Sequence, residues 1–334
     1  MAMTTGWMLG LCALAASLAW MTTALVRRWA MRAVLDVPNE RSLHVIPTPR
    51  GGGLAIAIVV LGFEAWLLLT GRIQVPWGWA AWCACALLAC LGLRDDLRPM
   101  SAPLRFVAQL VICGGWLWIL LEPASLLAWG GWVLQWLVMV WLINLYNFMD
   151  GSDGLAGTQA LLTGLGGGLL ALFVGETDIA VMALLTACAS LGFLFWNWQP
   201  ARIFLGDVGS YFLGGQFGVL LTATRAEGHD AFFWLILLGP FIVDATLTLL
   251  RRMLRGERWY GAHRTHAYQR LVQAGYGHAH VALCFALLGL CCSLPLAVAA
   301  TRWPSLALPC LLLAWSLPAG LWWRVIRGKE PLSG

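Results

Sequence analysis

The feature that most constrains this chain is a recurring run of roughly twenty apolar residues, interrupted by short polar stretches, from Gly6 to Trp323. A helix of that length crosses the roughly 30 Å hydrocarbon layer of a bilayer. In lipid the backbone has no water to bond, so it must satisfy itself, and for these runs the α-helix does so. Composition agrees: 60% of the residues are hydrophobic and 11% charged, against about a quarter charged in a soluble domain. The expected fold is all-α and polytopic, a single integral-membrane domain over residues 1–334.

Eleven spans are expected: Gly6–Val26, Leu54–Thr70, Val75–Leu93, Leu104–Leu121, Trp129–Phe148, Leu155–Val174, Ile179–Trp196, Val208–Thr224, Phe232–Leu250, Val281–Thr301 and Leu306–Trp323. The first is read as a retained span and not a cleaved signal, because Arg27 and Arg28 follow it and no positive charge precedes it. Of the twenty-one Arg and Lys residues, all but Arg72, Arg225 and Arg302 fall on one set of alternating loops. The positive-inside rule then puts the amino terminus outside, on the periplasmic side in a bacterium, and the carboxyl terminus in the cytoplasm. The same arginines account for the net charge of +5 without any nucleic-acid partner. Many of the 21 Trp residues, such as Trp7, Trp77 and Trp129, flank the runs, as an interfacial belt requires. All ten Cys residues lie inside apolar runs and read as small packing residues.

The loops of the arginine-poor set are short, whereas those of the arginine-rich set are longer and chemically varied, so function is expected on the cytoplasmic side. The third span ends in Asp95-Asp96 between Arg94 and Arg98. Adjacent carboxylates repel, and a divalent cation, a shared proton or the arginines would relieve them; taken alone, a solvated pair at a helix end explains them. The fifth span leads into Asn144-x-x-Asn147-x-x-Asp150-Gly-x-Asp153-Gly. Three residues apart, the two amides share a helix face, and an amide near the membrane needs a partner or a ligand. A helix cap and turn explain Asp153 and the glycines but not the asparagines or Asp150. Next comes Phe204-x-Gly-Asp207-x-Gly-Ser210, where Asp207 can either cap a helix or bind Mg²⁺ together with a phosphate. The most basic loop holds His263-Arg264-x-His266, and a forked guanidinium suits a diphosphate. The first loop, Asp36 to Gly53, is shaped by prolines and glycines and lacks the Gly-Lys-Ser/Thr of a P-loop. Two acids, Glu64 and Asp244, fall within spans and are functional hypotheses by position.

Carboxylates and amides for Mg²⁺, with Arg and His for phosphate, all on one face, fit phosphoryl transfer at a membrane surface. With these four motifs in order, the chain resembles the polyprenyl-phosphate N-acetylhexosaminyl-1-phosphate transferases, glycosyltransferase family 4 in the older naming, from Asp36 to about Gln273. The first loop and the string HRTHAYQRL look most like the branch that initiates bacterial O-antigen chains. Arg98 and HRTH stand where the peptidoglycan branch has lysines and three histidines, which argues against a muramoyl-pentapeptide substrate.

The resemblance implies transfer of a sugar-1-phosphate from a UDP-N-acetyl sugar to undecaprenyl phosphate in the bacterial inner membrane, with release of UMP. It implies that Asp207 and Asn147 bind Mg²⁺ (Mn²⁺ being the alternative) with the donor diphosphate. Asp153 would contact uridine, and Phe204 would stack on uracil. His263 and Arg264, with His266 beside them, would hold the diphosphate. Asp95 or Asp96 would orient or deprotonate the lipid phosphate. Asp150 and Asn144 complete the expected catalytic and binding set. Direct attack by the lipid phosphate is favoured, with a covalent aspartyl-phosphate route open. A homodimer is left open, as is the identity of the sugar. The rival class is a secondary transporter of an anionic solute, which would place its polar residues near the midplane on paired broken helices. The clusters here lie at the cytoplasmic ends.

Overall fold

The computed structural model describes residues 5–36, 47–121, 125–257 and 263–328. Asn39, Glu40, Arg41, Ser42 and His44 of the first loop, with Arg258 and Lys329, lie outside the described residues. The described chain is almost entirely helical. In order the helices are α1 (Thr5–Ala33), α2 (Gly53–Leu69), α3 (Gly78–Leu97), α4 (Ala102–Leu120), α5 (Leu126–Met149), α6 (Leu155–Phe173) and α7 (Thr177–Asn197). They continue as α8 (Gly206–Ala226), α9 (Phe232–Leu237), α10 (Gly239–Leu254), α11 (Ala267–Gln273), α12 (His278–Leu288), α13 (Leu294–Arg302) and α14 (Ala307–Arg327). A two-residue antiparallel pair, β1 (Leu35–Asp36) with β2 (Thr48–Pro49), closes the first loop.

Among the described residues, seven helices are long and apolar enough to cross a membrane: Gly6–Ala33, Ala102–Leu120, Leu127–Met149, Leu155–Phe173, Thr177–Asn197, His278–Arg302 and Pro304–Arg327. The other expected spans differ for separate physical reasons. Helix α2 is apolar but has only 17 residues. Helix α3 carries Arg94, Asp95 and Asp96 in its last turn. Helix α8 is rich in glycine and hydroxyl residues, and the ninth run is broken between α9 and α10 at Leu238 and Gly239. Large apolar side chains such as Leu69, Leu127 and Phe195 are 70% or more exposed on the outside of the bundle. That surface suits lipid, not water.

Helix α8 is the axis of the bundle. Every residue from Val208 to Thr224 is buried, and α2, α3 and α5 pack around it. Lipid tails are as apolar as Leu, so helices in a membrane gain by close backbone approach through small residues. Gly92 of α3 shows this: a Cβ there would collide with the backbone of Asp207 and Val208. The close fit lets the last turn of α3 reach the first turn of α8. Deeper in the bundle, Gln216 Nε2 of α8 donates to Glu64 Oε1 of α2 at 2.7 Å. Glu64 thus has a polar neighbour within the bundle, away from the loops.

Candidate active site

The acidic ends of α3, α5 and α8 meet on one face. Asp96 stands under the amino terminus of α8, where Oδ1 accepts the Asp207 N–H at 3.1 Å and Oδ2 the Val208 N–H at 3.0 Å. The first amides of a helix have no intrahelical acceptor; here a carboxylate from another helix supplies it. Gly206, at φ +78°, makes the turn possible, because a Cβ there would lie 2.7 Å from Asp96 Oδ2. Arg50 Nε approaches Asp96 Oδ1 at 3.5 Å, and its Nη2 donates to the Asp96 carbonyl at 3.1 Å. Asp95 turns the other way. Its Oδ1 accepts Met100 N–H at 2.7 Å, and its Oδ2 accepts Arg105 at 2.9 Å and the Tyr211 hydroxyl at 3.0 Å. Both acids are buried, and all four of their oxygens are engaged.

Asp207 and Asp150 are less fully used. Asp207, half-buried in the first turn of α8, receives Nδ2 of Asn147, which also reaches Ser210 Oγ at 3.3 Å. Asp207 does not cap its own helix; Asp96 does. Asp150, the residue after α5, accepts only the Gly206 N–H, at 3.1 Å, among the described residues. Burial, then Asp96 and Asp95, push the Asp207 carboxyl up to about 7 against the pull of Arg50 and Arg105. Burial, then Asp207 and Asp96, push Asp150 well above the carboxylate range. Neighbouring acids thus raise the proton affinity of both, and a divalent cation would relieve them. Among the described residues no three His, Cys, Asp or Glu side chains form a metal cage. Mg²⁺ is commonly held by one or two carboxylates plus substrate phosphates and water, so this donor set fits it.

Asn144 departs from its neighbour. Its Nδ2 donates to Gln109 Oε1 of α4 at 2.7 Å and to the Val140 carbonyl at 2.8 Å, so it ties α5 to α4. Asp153 does not cap α6: Gly154 precedes that helix without a side-chain cap, and Asp153 Oδ2 accepts Ala201 N–H at 3.0 Å. That bond joins the loop after α5 to the loop after α7. Asn197 doubles the joint, accepting Gly154 N–H and donating to the Ile203 carbonyl, both at 3.0 Å. Half-buried Phe204 bridges onward to the first loop, its N–H donating to Pro49 and its carbonyl accepting from Gly52.

The His263–His266 segment is held from beneath. Asp244 of α10 accepts Ala267 N–H at 2.9 Å on Oδ1 and Tyr268 N–H at 3.1 Å on Oδ2, so it caps α11 as Asp96 caps α8. His266 Nδ1 lies 3.6 Å from Asp244 Oδ1. The rings of His263, His266 and Tyr268 form a stack, with His263 and His266 centroids 4.9 Å apart. Tyr268 OH donates to the Phe148 carbonyl at 2.9 Å, which docks this segment on the end of α5 next to Asp150. Arg264 Nε is buried without a hydrogen-bond partner. Burial, then His266 and Arg252, lower His263 to about 4 against the opposing pull of Asp244, so it is neutral at pH 7.

The family 4 glycosyl transferase model matches residues 78–225, from α3 to α8, the stretch that carries these acids and amides. Over 304 residues the chain is 31% identical to the "Probable undecaprenyl-phosphate N-acetylglucosaminyl 1-phosphate transferase" of Bacillus subtilis (strain 168), covering 85% of this chain and 83% of the relative. The chain belongs to glycosyl transferase family 4. It is 30% identical over 314 residues to the decaprenyl-phosphate N-acetylglucosaminephosphotransferase of Mycobacterium tuberculosis (strain ATCC 25618 / H37Rv), covering 80% and 76%. It is also 31% identical over 259 residues to the phospho-N-acetylmuramoyl-pentapeptide-transferase of Moorella thermoacetica, covering 70% and 76%.

In this family 4 transferase, the structure gathers Asn147, Asp150, Asp207 and the Asp95–Asp96 pair, while Asn144 goes to a neighbouring helix. The motifs did not single out Arg50 and Arg105 as site residues, yet both guanidiniums act on Asp207. Arg105 carried a clue in its place ten residues after Asp95, but topology also explained it; Arg50 lies 46 residues before Asp96, and only the fold brings it there. His278 was missed too; its Nδ1 lies 2.9 Å from Ser152 Oγ and 3.3 Å from Asp153 N. No local pattern in the sequence marked it.

Proposed function

We propose that this membrane transferase moves an N-acetylhexosamine-1-phosphate from a UDP-sugar to undecaprenyl phosphate, releasing UMP, as the first membrane step of O-antigen or another surface polysaccharide. The observation that carries this reading is the meeting of Asp207, Asn147 and Asp150 at the joined ends of α5 and α8, facing the capped His263–Arg264–His266 segment. The first two relatives named above act on undecaprenyl phosphate and decaprenyl phosphate, by their names, and this supports the acceptor. The arginine distribution supports eleven crossings of the bacterial inner membrane, with the amino terminus periplasmic and this face in the cytoplasm, where nucleotide sugars are made.

In this reading Asp207 and Asn147 hold the divalent cation, whose charge offsets that of the donor diphosphate. Arg264, with an unpartnered buried Nε, and His263 bind diphosphate oxygens. Asp153 and Phe204, on loops cross-linked to each other, receive the uridine. Arg50 and Arg105, braced by Asp96 and Asp95, hold the acceptor phosphate beside Asp207. The pair therefore orients the acceptor through its arginines and fixes the start of α8. An acceptor phosphate oxygen is already largely anionic at neutral pH. Direct in-line attack on the sugar-bearing phosphorus then needs positioning more than a strong base. The test is purified protein with UDP-GlcNAc, undecaprenyl phosphate and MgCl₂. UMP and a lipid-diphosphate sugar should form only when all three are present; no lipid-linked product across a panel of UDP-N-acetyl sugars would refute the reading. The same panel identifies the sugar.

A further inference from the structure

The far end of the bundle holds a cavity that the transfer reaction does not use. Helices α3, α5 and α8 bring their acidic ends to one face, so the carboxyl ends of α4 and α8 and the amino end of α5 meet on the opposite face. There a cavity of about 430 Å³ is lined by Leu121, Leu127, Trp132, Gln135 and Arg225, among others. Along α8, Arg225 lies 18 residues from Asp207, about 27 Å by helical rise.

Three polar groups at this cavity lack partners. Trp132 is 9% exposed and its Nε1 has no hydrogen-bond acceptor. Gln135 Oε1 is buried without a donor, although its Nε2 donates to the Gly131 carbonyl at 3.2 Å. Arg225 is exposed, and its guanidinium makes no ion pair or hydrogen bond among the described residues. The other two arginines on the arginine-poor loops are occupied: Arg72 sits over Trp7 and Trp66, and Arg302 over Phe173. A buried polar atom without a partner is costly, so a ligand that supplies the missing partners would be favoured here.

The surroundings say what. Trp118, Trp129, Trp132 and Trp136 form a chain of rings with centroids 5.4 to 6.0 Å apart. Such clusters mark the headgroup depth of a bilayer. Leu127, at 88% exposure, gives the cavity an apolar outer wall. We propose that this cavity binds the phosphate head of an anionic membrane phospholipid. The Arg225 guanidinium and the Trp132 indole N–H donate to phosphate oxygens, Gln135 Oε1 accepts a headgroup hydroxyl, and an acyl chain lies along Leu127. A free anion would satisfy the two donors but leave the apolar wall without a role. The proposal does not depend on the reaction carried out at the other face.

The test uses delipidated full-length protein in neutral detergent, read by native mass spectrometry and thermal unfolding. Phosphatidylglycerol should be retained and raise the Tm, whereas phosphatidylcholine and inorganic phosphate should do neither. Arg225→Gln and, separately, Trp132→Phe should each weaken phosphatidylglycerol binding about tenfold, with transferase turnover in detergent unchanged. Unchanged lipid retention in both variants would overturn the proposal. So would equal stabilisation by inorganic phosphate, or a two-copy species that Arg225→Gln dissociates while no lipid is bound.

Discussion

The acids of α3 and α10 and those where α5 meets α8 look alike in sequence and do opposite things in the structure. Asp96 and Asp244 each bind two main-chain amides at the start of another helix, and Asp95 joins α3 to α4 and Tyr211. Their charge is met by donors already in place. Asp207 and Asp150 have one donor each among the described residues, and burial with the neighbouring acids raises the proton affinity of both. On the proposed reading, a carboxylate with its oxygens taken is scaffold, and one left open beside other acids holds a cation. The difference lies in the neighbours brought by the fold, not in the acids.

Asp207→Asn separates the two sets of acids most directly. The open acid should be dispensable for folding: removing one of several crowded charges should leave Tm unchanged or raised. Turnover of the UDP-sugar should fall about a hundred- to a thousandfold, the scale of removing a positioned electrostatic group. Turnover within tenfold of the parent would take Asp207 out of the working set.

Asp96→Ala should show the reverse pattern, with stability and rate falling together. Two amides at the start of α8 would lose their acceptor, and each unsatisfied buried donor costs about 1–3 kcal/mol. A loss of about 2–6 kcal/mol should appear in thermal unfolding. A variant with the parent Tm but no turnover would mean that Asp96 works on substrate directly, and the line drawn between the two sets of acids would fall.

Much of this was legible in the chain and some was not, for identifiable reasons. The apolar runs and the arginine alternation are properties of single segments, so the helical membrane architecture could be read directly. The acid and amide motifs could also be read as one cluster, because each sits where a run ends. What a single segment cannot show is which partner a side chain meets. Asn144 and Asn147 share one helix face, yet one reaches Gln109 and the other Asp207. Asp153 looked like a cap for the following helix and instead accepts from Ala201, 48 residues on. Asp244, isolated in its run, gained meaning only when α11 folded back onto it. The glycines of α8 lower its apolar content, yet they permit the tight packing that makes it the axis of the bundle.

Gly92→Ala tests that packing with a smaller expected effect. The added methyl would press on the Asp207 and Val208 backbone, and overpacking of this kind costs about 1–3 kcal/mol. If the contact between α3 and α8 sets the position of Asp207, the apparent affinity for Mg²⁺, read from the metal dependence of turnover, should weaken severalfold along with the loss in Tm. A drop in Tm with an unchanged Mg²⁺ dependence would make Gly92 a packing residue only.

The smallest effect concerns the cationic side of the site. His263 is lowered from 6.5 to about 4 in the folded protein by burial, His266 and Arg252. Between those values the unfolded chain binds a proton that the folded one does not. Stability is therefore fully present above pH 6.5 and is lost as pH falls toward 4. The contribution is on the order of 1 kcal/mol once solvent screening of a partly exposed ring is counted. Thermal unfolding of the parent and of His263→Asn from pH 8 to 4.5 should show the parent losing stability faster below pH 6.5. Parallel curves would mean that the ring is not held neutral. The segment would then carry its phosphate-binding charge on both His263 and Arg264, and the contrast between acids that are met and acids left open would need a second cation in its account.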